Sequence, residues 1–68
     1  MILVIDKINL STMALLKANN CSLAPFRGQY AVWITRRATR QDSGTILLPS
    51  GAYLKLVNCT DSVELVAL

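Results

Sequence analysis

Residues 29 to 37, Gln-Tyr-Ala-Val-Trp-Ile-Thr-Arg-Arg, alternate as a strand but carry bulk on both faces: Tyr30, Val32 and Ile34 on one, Ala31, Trp33 and Thr35 on the other. A strand of this kind has to be covered twice. Ile2 to Ile5 makes the same demand, because an unbroken, largely β-branched apolar run fits a strand inside a sheet better than a short helix. With only 68 residues to answer both demands, the chain holds one small core and no second one.

A single stretch has helical spacing. Ser11 is a good capping residue with Leu10 and Leu15 in the staple positions around it, Met13, Leu16 and Asn20 follow the spacing, and Asn19-Asn20 supplies a left-handed stop. The spacing predicts a helix over 12–20. Ser22 to Gly28 contains Pro25 and Gly28 and reads as a loop bearing Phe26 and Arg27. Further on, Asp42-Ser43-Gly44 is a turn signature before the apolar run 45–48. Pro49-Ser50-Gly51 then reverses the chain into Tyr53 to Val57 as a hairpin, and Cys59-Thr60-Asp61-Ser62 turns it again into a last strand. Strands are expected near 2–8, 29–37, 45–48, 52–58 and 63–68. The fold class that follows is a single α+β domain over residues 1–68, with one short helix packed on a mostly antiparallel four- to five-stranded sheet.

One short helix leaves part of such a sheet uncovered. The candidates are the Trp33 side of the long strand and the Val66 and Leu68 side of the last one, unless the sheet curls into a small barrel and buries Trp33 within it. The last strand has neither Pro nor Lys to protect its edge, so Val63, Leu65, Val66 and Leu68 are expected to form an oligomer interface, a dimer first.

Composition narrows the chemistry. There is no His, and the acids are only Asp6, Asp42, Asp61 and Glu64, which removes the usual proton shuttles and metal ligands. Cys21 and Cys59 lie far apart, form no zinc pattern and have no His to activate either thiol. Lys7, Lys17 and Lys55 each stand among apolar residues as solvated tips, and the three glycines make no phosphate-cradling loop. No catalytic residue, cofactor site or metal site is expected. The apolar start is too short for a signal peptide or a membrane span, so the expected setting is the cytoplasm, with no membrane contact. The Asn-x-Ser/Thr triplets at Asn9, Asn20 and Asn58 then read as chance.

The charge is uneven. Arg27, Arg36, Arg37 and Arg40 fall within a segment that contains no acid, and they account for the net charge of +3, the rest of the chain being nearly balanced. Together with Phe26, Tyr30 and Trp33 they form the expected partner-binding set, with Tyr30 and Arg36 on one strand face and Trp33 and Arg37 on the other. Arginine is favoured at protein interfaces, which points to docking on a protein partner with an acidic surface. The rival class is a small nucleic-acid-binding module, with the arginines on phosphates and the aromatics on bases. A solvated basic segment that keeps an apolar chain soluble is the plain alternative. The reading that results is a non-enzymatic regulatory or inhibitory protein acting by stoichiometric binding, of the kind phages and mobile elements use.

Overall fold

The structure, a computed structural model, describes residues 1–42 and 44–68. In chain order it runs β1 (Ile2–Ile5), β2 (Lys7–Ile8), α1 (Leu10–Ala18), β3 (Ser22–Phe26), β4 (Gln29–Trp33), β5 (Thr39–Arg40), β6 (Thr45–Leu47), β7 (Tyr53–Cys59) and β8 (Ser62–Ala67). This is an α+β domain, mostly antiparallel, with one short helix. Its strands form two sheets rather than the single one expected: a three-stranded sheet in the order β1-β4-β3 and a five-stranded sheet in the order β2-β8-β7-β6-β5. Among the described residues only β2 and β8 pair in parallel.

Two bends separate the sheets. The run expected as one strand over 2–8 breaks at Asp6, whose N–H bonds the Val63 carbonyl at 2.8 Å and so moves the chain from β4 to β8. The run expected over 29–37 ends at Trp33. Ile34 still pairs with Met1, but the Ala38 N–H then closes a turn on the Thr35 carbonyl at 3.1 Å, with Arg36 and Arg37 at its tip. Between the sheets, Leu3, Ile5, Val32 and Ile34 meet Ile46, Leu48, Leu54 and Leu65, with Leu16 of the helix and Cys21 completing the core.

Residues 22–28 are not a loop but the first strand and the turn of a hairpin with β4. Arg27 and Gly28 adopt φ of 50° and 79°, the pair of left-handed conformations a two-residue type I′ turn requires, and Phe26 faces Gln29 across its base. Pro25 is compatible with a strand because of where its missing N–H falls. Met1 and Ile34 exchange both backbone bonds, so along β4 the even positions bond β1 and the odd positions bond β3. By that alternation Leu23 and Pro25 turn their backbone groups away from β4, and an outward slot on an edge strand is where Pro is tolerated.

The helix starts earlier than its spacing suggests, and Asn9 rather than Ser11 is the cap. The Asn9 carboxamide oxygen accepts from the Thr12 N–H and from the Thr12 hydroxyl, both at 2.8 Å. Leu10 accordingly points into solvent rather than into a staple. The Thr12 hydroxyl, fully buried, also accepts from the Ala67 N–H at 3.1 Å, which fastens the helix start to β8.

Candidate interaction surface

The three-stranded sheet presents an uncovered face built in register. Ile2, Trp33 and Ser22 form one row across β1, β4 and β3, Val4, Ala31 and Ala24 the next, and Gln29 and Phe26 the last. Alternation turns all of these outward while Leu3, Ile5, Val32 and Leu23 turn into the core. The large members stay in water, with Ile2 70%, Val4 44%, Trp33 42% and Phe26 45% exposed. The middle row carries two small residues, Ala31 and Ala24, between the rows of Trp33 and Phe26.

Charge rims this face. Arg27, at the hairpin tip, stacks its guanidinium 5.6 Å from the Phe26 ring centre, an arrangement a positive charge over a π face stabilises. At the opposite end, Arg36 and Arg37 stand exposed in the turn that follows Trp33. Asp6 follows Ile2 and Val4 in the alternation, at the bend where the chain leaves β1. Its carboxylate is engaged inside the fold, one oxygen accepting from Gln29 Nε2 at 3.0 Å and the other from the Val63 N–H at 2.8 Å.

The expected partner-binding residues therefore separate. Phe26, Arg27 and Trp33 meet on this face, with Arg36 and Arg37 at its end. Tyr30 turns inward and packs against the core, so it shares no face with Trp33. The expected pairings of Tyr30 with Arg36 and of Trp33 with Arg37 along one strand do not form, because the strand stops before either arginine. Arg40 lies apart, in β5 at the far edge of the five-stranded sheet. Ile2 and Val4, expected to be covered on both faces, are the main residues missed. Their composition matches that of Leu3 and Ile5, so only the pairing of β1 tells the two sets apart.

The terminal strand also departs from expectation. β8 is flanked by β7 on one side, and on the other by β2 at Glu64 and Leu65 and by Thr12 at Ala67. It is not an open edge. Leu65 is fully buried in the core and Val63 and Val66 are half-buried, while Leu68 extends 73% exposed beside Tyr53.

Elsewhere the described residues assemble little chemistry. Cys21 is buried, Cys59 is exposed and both are free thiols. Among the described residues no three Cys, Asp or Glu side chains come together, and no helix is long and apolar enough to cross a membrane. Asp42 holds the Gly44 and Thr45 N–H groups at 2.9 and 2.8 Å, and those two bonds keep its carboxyl below the usual carboxylate range. Ser43, the centre of the turn expected there, lies outside the described residues. Compared with known protein families, with curated proteins and with solved structures, the chain matches none.

Proposed function

We propose that this protein is a non-enzymatic regulatory or inhibitory factor that acts by stoichiometric binding to another protein, and that the outward face of the three-stranded sheet is the surface it uses. The observation that carries the reading is the alignment of Ile2, Val4, Trp33 and Phe26 on one face of paired strands, each more than two-fifths exposed. Covering such a contiguous apolar surface gains roughly 25 cal/mol for each Å² removed from water. The partner's rim is acidic in this reading, since Arg27 at one end and Arg36 and Arg37 at the other would meet it, and arginine is the cation best suited to interface carboxylates.

The rival reading is nucleic-acid binding, favoured by the exposed Trp33 and by Arg27 stacked on Phe26. Salt separates the two. Phosphate contacts by three or four arginines give a log-log salt slope of roughly −2 to −4, whereas an apolar face is not screened. Partner capture with wild type, Trp33→Ala and an Arg36→Ala/Arg37→Ala double variant, with and without nuclease, is the test. Loss of the partner on Trp33→Ala with nuclease having no effect supports the protein reading. If nuclease removes the bound material, or if the arginine changes abolish binding while Trp33→Ala leaves it intact at moderate salt, nucleic acid takes its place.

A further inference from the structure

The four sheet edges are protected to different degrees. In the five-stranded sheet, the edge strands β2 and β5 are two residues long, and each carries a cation, Lys7 or Arg40. On β3, one of the two outward slots is Pro25, which offers no donor. β1 has none of these devices. It is four residues long, contains no Pro and no charge, and by the alternation set at Met1 and Ile34 it directs the N–H and C=O groups of Ile2 and Val4 away from β4. The next outward group along the same edge is the Asp6 N–H, which does find a partner in β8, so the edge is closed at Asp6 and open before it. Beside the open part lies a cleft of about 710 Å³ bordered by Leu3, Val4, Leu56 and Val63 and, on its far side, by Asp42 and Lys55.

We propose that this edge pairs with the same edge of a second copy, antiparallel, across a twofold axis at Leu3. Such an axis sets Ile2 of each copy opposite Val4 of the other, and because these are the residues whose backbone groups face outward, both pairs are hydrogen-bonded pairs with two bonds apiece. The two three-stranded sheets become one of six. Opposed residues share a face, so Ile2 and Val4, now 70% and 44% exposed, pack across the seam as apolar cross-strand pairs. A second copy fits this edge for two further reasons. Residues 1 to 5 carry no charged side chain to repel its image. In the same register the end of the seam at Asp6 of one copy is the end at which the other copy's Met1 and Ile34 pair and its basic turn at Arg36 and Arg37 follows, so unlike charges stand at the same end of the seam. The pairing joins two partner-binding faces side by side, with Ile2 and Val4 shared between the seam and the face and Trp33 and Phe26 left outside the seam.

The test is light scattering of the wild-type chain over a concentration series, with residue-resolved amide exchange on the same samples. The expected result is a mass twice the 7.5 kDa of one chain, with the Val4 amide slowing tenfold or more as the dimer forms. The outward Leu23 amide of β3 should stay fast throughout, as the internal control. Val4→Pro, which removes an outward donor as Pro25 does in β3, should give a monomer with the wild-type circular dichroism spectrum. A 7.5 kDa particle at every concentration up to several hundred micromolar overturns the proposal. So does a dimer whose Val4 amide stays fast, since that dimer is joined through another surface, and so does a folded Val4→Pro that still dimerises.

Discussion

Thr12 is the buried hydroxyl on which the helix and the last strand both depend. It donates to the Asn9 cap and accepts from the Ala67 N–H, so one oxygen completes a helix start and a strand edge at once. Thr12→Val keeps the shape but leaves the Ala67 N–H without its acceptor, and a buried donor so orphaned costs about 1–3 kcal/mol. Urea unfolding should show a loss of that size, whereas Thr12→Ser, which keeps the oxygen, should lose about 1 kcal/mol for the missing methyl. Asp42 works in solvent, so its effect is local. Its carboxyl is held below the usual range by the Gly44 and Thr45 N–H groups. Its contribution is therefore complete above the ordinary carboxylate value and is lost as pH falls through the lowered one. In an acid titration followed by NMR, the Gly44 and Thr45 amides should shift together in that low window, with little change in global unfolding because the site is exposed.

At the scale of elements, the β3–β4 hairpin is held by its turn. Gly28 sits at φ of 79° with open space around the position of a Cβ, so Gly28→Ala meets no clash and pays only for the left-handed backbone, about 1 kcal/mol. Gly44→Ala is the useful contrast, since Gly44 has ordinary φ and a Cβ there would lie 3.4 Å from the Leu56 carbonyl oxygen. Thermal unfolding should lower Tm by several degrees for Gly28→Ala and by less for Gly44→Ala. This hairpin was poorly legible in the chain because Arg27-Gly28 is not one of the usual type I′ pairs and because Pro25 reads as a strand breaker. Both signals are local, and both are overridden by pairing to β4. The Pro49-Ser50-Gly51 reversal was readable for the opposite reason: Gly51, at φ of 91°, supplies the left-handed residue its turn needs, and its N–H bonds the Leu48 carbonyl at 2.9 Å.

The whole molecule is two sheets joined at Asp6, whose carboxylate ties Gln29 of β4 to Val63 of β8. Hydrogen bonds to a charged group contribute about 1.5–3 kcal/mol, so Asp6→Ala should unfold in one cooperative step with a Tm lowered on the order of 10 °C. Two separate transitions in the variant would show that Asp6, and not the shared core, couples the sheets. Trp33 is the only tryptophan, so its fluorescence reads the exposed face directly. Emission should be that of a solvent-exposed indole and quenchable by acrylamide in the free protein. Trp33→Ala should cost well under the roughly 3–5 kcal/mol of a core aromatic, and a blue shift should accompany partner binding.

What the sequence determined by itself was whatever depends on neighbours a few positions apart. The parity of Tyr30, Val32 and Ile34 against Ala31 and Trp33, the helical spacing through Leu16, the two tight reversals near Gly51 and Asp61, and the single α+β domain all follow from such short-range patterns. Tertiary structure alone decided which apolar residues are covered. Leu3 and Ile5 are core while Ile2 and Val4 are surface, although the four are chemically alike, because β1 meets the rest of the protein on one face only. The terminal strand reads as an open edge until β2 and Thr12 reach it from the other end of the chain. Coverage is a property of pairings between residues some fifty positions apart, and no local pattern carries it.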